Sequence, residues 1–276
     1  MLLQEKFVLS NGLEIPKIGL GTWQIKNEDV YDAVISAVKV GYRHIDTAIA
    51  YGNEEGVGKA IKDCGVERSN LYITSKIPAE VKSYEGAKKC IEESLSRLDL
   101  EYLDLMLIHA PRPWDQLWDP NANQCYKENL EVWKAMEEAH KAGKIKSIGI
   151  SNFYYVDIKN ILDNCEIKPH VNQICIFIGN TPQDAIDYCN DNGILVEAYS
   201  PIATGRLLNN KIVEEMANKY NVSIAQLCIK YCLDINTLPL PKSKTPSHIL
   251  ENTKVDFEIN KEDLEKLRNL SINVWA

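Results

Sequence analysis

At 276 residues and 45% hydrophobic, the chain is long enough to bury a full core, either as one large α/β domain or as two small ones. Its 31 basic and 39 acidic residues leave a net charge of -8, with no lysine or arginine run of the kind that follows a phosphate backbone, so nucleic acid is not an expected partner. The opening M-L-L-Q-E-K brings Glu5 and Lys6 too early for the apolar core of a signal peptide, and no stretch approaches the ~18 apolar residues that span a membrane, so a cytoplasmic protein without a membrane partner is expected.

In chain order, F-V-L-S-N-G-L-E-I-P-K-I (7 to 18) alternates apolar and polar residues around Asn11-Gly12, a hairpin signal. Short runs rich in aliphatic and β-branched residues then recur at 18 to 23, 44 to 48, 71 to 77, 103 to 110, 147 to 152, 170 to 176, 194 to 200 and 237 to 242. Between them lie amphipathic segments with helical spacing, such as V-Y-D-A-V-I-S-A-V-K-V and N-L-E-V-W-K-A-M-E-E-A-H-K-A-G, the latter ending at Gly143 as a stop. Eight alternations at this length predict an α/β fold, one (β/α)8 TIM barrel over 1–276, and no linker or composition shift divides it. A doubly wound sheet would want G-x-G-x-x-G after its first strand, and G-L-G-T-W-Q lacks the third glycine. The eight cysteines (64, 90, 125, 165, 175, 189, 228 and 232) include no C-x-x-C pair and sit mostly in apolar segments. They read as small buried hydrophobes in a reducing compartment, so neither disulfides nor a metal site is expected.

Barrel enzymes build their sites at the C-terminal ends of the strands. Those ends carry Gly21-Thr22-Trp23, Asp46 with Tyr51, Lys76, His109, Ser151-Asn152, Gln173, Tyr199-Ser200 and Lys242-Ser243. Four of them, Asp46, Tyr51, Lys76 and His109, come from neighbouring strands and can converge. A phenol of pKa ~10 is a poor acid, but a lysine cation beside Tyr51 is expected to lower that value and make it a usable proton donor. Asp46 would keep Lys76 charged, and His109 would orient or polarise the group that receives the proton. The set suits a carbonyl oxygen that becomes an alkoxide as hydride arrives. Taken singly, each has a plain structural reading: a strand-end Asp as a helix cap, a loop Tyr as packing, a Lys pointing to water, a His satisfied in the core. Asp104 and Glu197 fall short of the strand ends and read as supporting residues.

With these residues in view, the chain resembles the aldo-keto reductases over nearly its whole length, and is similar to the small bacterial 2,5-diketo-gluconate reductases. The resemblance rests on D-T-A-x-x-Y-G-N-E (46 to 54), T-S-K (74 to 76), D-L-M-L-I-H (104 to 109), G-I-S-N-F (149 to 153), V-N-Q (171 to 173), A-Y-S-P-I-x-x-G-x-L-L (198 to 208), P-K-S (241 to 243) and E-N (251 to 252), all in family order. It implies a (β/α)8 barrel closed at the bottom by the hairpin, and a catalytic tetrad of Asp46, Tyr51, Lys76 and His109. It also implies NADPH lying extended across the barrel mouth, with NADH a weaker alternative. Ser151, Asn152 and Gln173 would then hold the nicotinamide carboxamide and Tyr199 would stack on the ring. Ser200, Ile202 and Gly205 would meet the pyrophosphate, Lys242, Ser243 and His248 the 2′-phosphate, and Glu251 and Asn252 the adenine. Gly21, Thr22 and Asp46 would border the cofactor as well.

Four positions depart from the family pattern. Ala110 follows the catalytic His where many members carry Trp, which is expected to open the pocket wall. Cys175 and Phe177 replace the Glu and His of V-N-Q-I-E-x-H. His248 stands where Arg is usual. The expected function is reduction of aldehydes and ketones by NADPH, with a substrate pocket from Trp23, Tyr51, His109, Ala110 and Trp114. The partner would be a small carbonyl substrate, with a monomer favoured. Two other functions compete. A glycosidase would need two carboxylates among Asp46, Glu54 and Glu197, but Lys76 beside Asp46 would hold that acid ionised. A non-catalytic NADPH sensor would have no need of a tuned phenol.

Overall fold

The N-terminal alternation folds into β1 (Lys6–Val8) and β2 (Glu14–Pro16), antiparallel, with Phe7 opposite Ile15. The computed structural model describes residues 2–274, so Met1, Trp275 and Ala276 of the expected 1–276 unit lie outside the described residues. The hairpin turn is wider than Asn11-Gly12 alone: the Leu9 N–H donates to the Leu13 carbonyl at 2.8 Å, and Asn11 Nδ2 reaches across to Ser147 Oγ at 3.0 Å. Asn11 therefore ties the turn to the barrel. Leu9 and Ile15 pack with Tyr72, Leu105, Leu107, Val171, Leu238 and Leu240, side chains of the barrel strands, so the hairpin plugs the barrel's lower end.

All eight predicted strands form: β3 (Leu20–Gly21), β4 (His44–Asp46), β5 (Tyr72–Ile77), β6 (Leu103–Ile108), β7 (Ile145–Ser151), β8 (Val171–Cys175), β9 (Leu195–Tyr199) and β10 (Leu238–Leu240). They lie side by side in chain order and pair in parallel, as right-handed βαβ repetition requires. The ring closes between β3 and β10, where the Gly19 and Gly21 N–H groups donate to the Pro239 and Pro241 carbonyls at 3.2 and 3.0 Å. Glycine is needed at that seam, because a Cβ on Gly19 would stand 2.6 Å from Leu240 Cδ2 and 2.7 Å from the His44 ring. Prolines suit it too, since only their carbonyls are asked to bond.

Helices Asn27–Val40, Glu54–Asp63, Tyr84–Leu98, Tyr126–Lys141, Tyr155–Asn164, Gln183–Asp191, Ile224–Asp234 and Pro246–Glu251 follow the eight strands. Two more, Lys211–Lys219 and Lys261–Asn269, lie in the connection after β9 and at the C-terminal side. Gly143 stands just past the fourth helix at φ 78°, the stop its position predicts. The main core lies between strands and helices, around residues such as Ile45, Ile73, Ile108, Trp133, Ile148 and Val196. Among the described residues no helix is long and apolar enough to cross a membrane. The eight cysteines are free thiols, and Cys125, Cys189, Cys228 and Cys232 are buried.

Candidate active site

The C-terminal strand ends open into a cleft of ≈ 1490 Å³, and Asp46, Tyr51 and His109 lie on its floor. β4 ends at Asp46; the chain then turns through a short 3-10 segment, Ile49–Tyr51, stopped by Gly52 at φ 65°. That turn brings Tyr51 back over the strand end. Asn53 holds it there: its Nδ2 donates to the Thr22 and Ile25 carbonyls at 3.0 and 2.9 Å, and its Oδ1 accepts from Thr47 Oγ1 at 2.7 Å.

Lys76, from β5, is fully buried beneath the floor. Its Nζ donates to Asp46 Oδ1 and Oδ2 at 2.7 Å each, to the Thr47 carbonyl at 2.9 Å and to the Tyr51 hydroxyl at 3.3 Å. Burial opposes its charge, but Asp46 and Tyr51 outweigh burial and hold its pKa above the ordinary lysine value. The expected lowering of the Tyr51 pKa is not found. Burial raises it, and the nearby Lys76 cation offsets only part of that rise, with Asp46 adding to it. Tyr51 therefore stays protonated through the neutral range, with the Lys76 ammonium 3.3 Å from its hydroxyl. His109, at the end of β6, meets the Tyr51 ring edge-on with centroids 5.7 Å apart. Burial, helped by Lys76, drives its pKa well down, so it stands as a neutral imidazole; its Nδ1 is buried without a partner.

Next to this group, Gln173 Nε2 donates to Asp46 Oδ2 at 2.9 Å and to Glu197 Oε2 at 2.7 Å. Asn152, at φ 60°, donates through Nδ2 to the His109 carbonyl at 3.0 Å and to Ser151 Oγ at 3.1 Å, while its Oδ1 accepts from the Tyr199 hydroxyl at 2.8 Å. Ser151 Oγ donates to the Gln173 carbonyl at 2.8 Å. One cleft arm continues past Ile202 and Gly205 to Lys242, Ser243 and His248, and ends at Glu251 and Asn252. Ser200, Thr204 and Gly205 in this arm lie in the left-handed region at φ of 52, 55 and 90°, and the Gly205 N–H donates to the Ile202 carbonyl at 2.9 Å. A dinucleotide phosphate fits this lining: amide oxygens at the floor that can still accept, a lysine at the far end, and more volume than the ~300 to 1,000 Å³ of a single small-ligand pocket. The other arm is aromatic, with Trp23, Trp114 and Trp118 exposed at its rim.

Two expected contacts do not reach the cleft. Thr22 is fully buried, and both its N–H and its hydroxyl donate to the Asp46 carbonyl at 3.0 Å, so it holds the floor from behind. Ala110 is likewise buried, packed with Ala79 and Leu117, and Leu117 is the residue that faces the pocket. The wall is therefore not opened at position 110, because another side chain covers the methyl. Cys175 does line the cleft, whereas Phe177 is buried in the core and pairs through its backbone with Asn180. Sequence reasoning missed Leu117 and Trp118, although W-D-Q-L-W (114 to 118) repeats apolar residues at helical spacing directly after β6. Glu54 lies away from the cleft, accepting from Ser75 Oγ at 2.7 Å, Ser94 Oγ at 2.5 Å and Arg97 Nε at 2.7 Å, which removes it as a hydrolytic carboxylate.

Comparison with known proteins agrees with this geometry. The Aldo/keto reductase family model matches residues 17–272. The chain is 41% identical over 271 residues to the glyoxal reductase of Bacillus subtilis (strain 168), covering 98% of this chain and 94% of that one. A crystal structure of an aldo-keto reductase enzyme from a Medee basin deep-sea metagenome library superposes with a TM-score of 0.88 at 36% identity, covering 96% of this chain and 94% of the other. A Bombyx mori aldo-keto reductase in complex with NADP gives a TM-score of 0.84 at 32% identity, covering 96% and 92%. The chain belongs to the aldo/keto reductase family and is an NADPH-dependent oxidoreductase of aldehyde and ketone carbonyls.

Proposed function

We propose that Tyr51 is the proton donor in this reduction and that the carbonyl oxygen is received between its hydroxyl and the neutral His109 ring. The observation that carries the reading is the chain of short contacts from Tyr51 to Lys76 to Asp46 on the cleft floor. NADPH, when bound, supplies the hydride. Tyr51 gives up its hydroxyl proton to the oxygen that becomes the alcohol, and Lys76, 3.3 Å away, stabilises the phenolate left behind. Asp46 keeps the lysine charged and aimed. His109, being neutral, presents one N–H and no charge, so it orients the carbonyl without competing as an acid.

Ser151, Asn152 and Gln173 form the seat of the nicotinamide carboxamide, with Tyr199 against the ring, and Lys242, Ser243 and His248 receive the 2′-phosphate. Substrates of the glyoxal type fall within the class, as the name of the Bacillus subtilis relative suggests. The protein acts as one barrel unit, as a monomer in the cytoplasm, where its free thiols stay reduced. Its acidic surface gives nucleic acid no foothold. Tyr51→Phe keeps the ring and removes the proton. Carbonyl reduction should fall by at least ~100-fold while the NADPH Kd, followed by protein fluorescence, stays put. Near-normal turnover in that variant would remove Tyr51 from the role.

A further inference from the structure

The hydrogens of the carboxamide seat are already engaged. Both N–H bonds of the Asn152 amide go to the His109 carbonyl and Ser151 Oγ, and the Ser151 hydroxyl hydrogen goes to the Gln173 carbonyl. The Gln173 amide gives one N–H to Asp46 and the other to Glu197. Acceptor capacity is what remains: Oε1 of Gln173, and the second lone pairs of Ser151 Oγ and Asn152 Oδ1. We propose that Glu197 is a positioning residue that makes this an acceptor-only seat: by taking the second Gln173 N–H, it leaves that amide only its oxygen to offer the cofactor.

Glu197 suits the task. It is fully buried on β9, and its Oε2 lies 2.7 Å from Gln173 Nε2. Burial, with Asp46 nearby, pushes its pKa up to about 8, and a carboxyl oxygen accepts in either protonation state. A flipped Gln173 would turn its oxygen toward Asp46, whose oxygens accept from Lys76, so the observed orientation is the one that keeps an N–H on that acceptor. The cofactor group that matches is a primary carboxamide, which can donate two N–H bonds; an acetyl group in its place cannot donate any.

The inference rests on the placement of the nicotinamide proposed above, and binding measurements separate the two. Kd is measured for NADP, its 3-acetylpyridine analogue and 2′-phospho-ADP-ribose, which lacks the nicotinamide. The proteins are wild type, Glu197→Leu and Glu197→Gln. Wild type should bind NADP about two- to tenfold more tightly than the acetyl analogue, the weight of one neutral hydrogen bond. In Glu197→Leu the released Gln173 N–H can serve the acetyl oxygen, so the ratio should fall toward one. In Glu197→Gln, whose amide oxygen still accepts, it should persist. Binding of 2′-phospho-ADP-ribose should be equal in all three and reports an intact fold. No discrimination in wild type would mean that the nicotinamide sits elsewhere. Discrimination that persists unchanged in a folded Glu197→Leu would overturn the role of Glu197 and leave the seat standing. If Glu197→Leu does not fold, wild type alone decides: both side-chain amide protons of Gln173, assigned by NMR through their loss in Gln173→Leu, should exchange slowly with solvent. One freely exchanging proton would refute the proposal.

Discussion

The floor and the aromatic rim of the cleft are built on opposite plans. On the floor, Asp46, Lys76 and Gln173 sit at strand ends, each fixed by two or more hydrogen bonds, and Asn53 holds the loop that carries Tyr51. Trp23 aside, the rim is the segment from Ala110 to Cys125, which has no regular helix and is anchored at its ends. Lys82 Nζ holds the Ala110 carbonyl at 2.8 Å, Asn129 Nδ2 the Pro111 carbonyl at 2.9 Å, and Arg112 reaches Gln124 Oε1 at 2.7 Å. Between those anchors the bonds are local turns, and Trp118 is 73% exposed. A proton donor must be held to a fraction of an ångström, whereas a wall that admits varied aldehydes can adapt. Floor substitutions should therefore cost stability and turnover together, and rim substitutions should alter substrate preference alone.

The hardest test of that contrast is Lys76→Met. It removes the partner of Asp46 inside the barrel and leaves a carboxylate buried and unpaired. Urea denaturation should register a loss of about 3 to 5 kcal/mol. Turnover should fall by about 100-fold or more, because the Tyr51 phenolate loses its counter-charge. A variant as stable as wild type would mean that the floor is not held by this pair.

The second test uses pH. The Glu197 carboxyl lies among Asp46, Lys76, Gln173 and His44, and its pKa is pushed from 4.5 to about 8 by burial first and Asp46 second. Its folded pKa exceeds its unfolded one, so its contribution to stability is complete below pH 4.5 and is lost as pH rises toward 8. His44, held neutral by burial down to about pH 3, has the opposite slope below the ordinary histidine pKa of ~6.5, and Lys82, lowered by burial to about 8, opposes it above that value. Between pH 6.5 and 8 wild type should accordingly lose about 2 kcal/mol relative to Glu197→Gln, which has nothing to titrate there. Parallel stability curves for the two proteins would mean that Glu197 is already ionised at pH 6.5.

The contrast also explains what could be read from the sequence. Strand ends are punctuated by their own periodicity, so the eight strands, the hairpin and the residues facing the cleft from strand ends such as Asp46, His109 and Gln173 were legible before any coordinates. Side-chain direction was not. Thr22 and Ala110 stand next to cleft residues in the chain, yet their side chains face inward, one bonded to the Asp46 carbonyl and the other covered by Leu117. Asn53 and Glu54 end the D-T-A-x-x-Y-G-N-E motif, but their bonds run to Thr22 and Ile25, and to Ser75, Ser94 and Arg97, partners up to 43 residues away. The net effect of Lys76 on Tyr51 could not be read either. Its sign depends on how far burial outweighs a neighbouring charge, and burial is a property of the whole fold.

The far end of the cleft offers a smaller test. Lys242 and His248 are both exposed there, and Lys244 is drawn away by Asp29 at 3.0 Å. Arginine in place of His248 would offer a phosphate two parallel hydrogen bonds and a permanent charge. His248→Arg should raise the preference for NADPH over NADH about tenfold, measured as the ratio of Kd values at constant ionic strength, since screening would otherwise blur it. An unchanged ratio would mean that Lys242 and Ser243 suffice and that position 248 does not face the phosphate.

The smallest expected effect lies at the rim itself. Trp118 is more exposed than either Trp23 or Trp114, which are 44% and 41% exposed, and Trp114 is additionally packed edge-on against His109 at 5.0 Å. Trp118→Ala thus removes contact area that a bulky substrate can use without disturbing the floor. Its effect on stability should lie within about 0.5 kcal/mol. The kcat/KM for an aromatic aldehyde should fall about two- to tenfold, the value of one aromatic pairing, while that for methylglyoxal, too small to reach the rim from the floor, should hold. The ratio of the two constants cancels any general damage to the enzyme. If both substrates lost activity equally, the rim would be coupled to the proton donor, through Trp114 and His109, and the division between a fixed floor and an adaptable wall would fail.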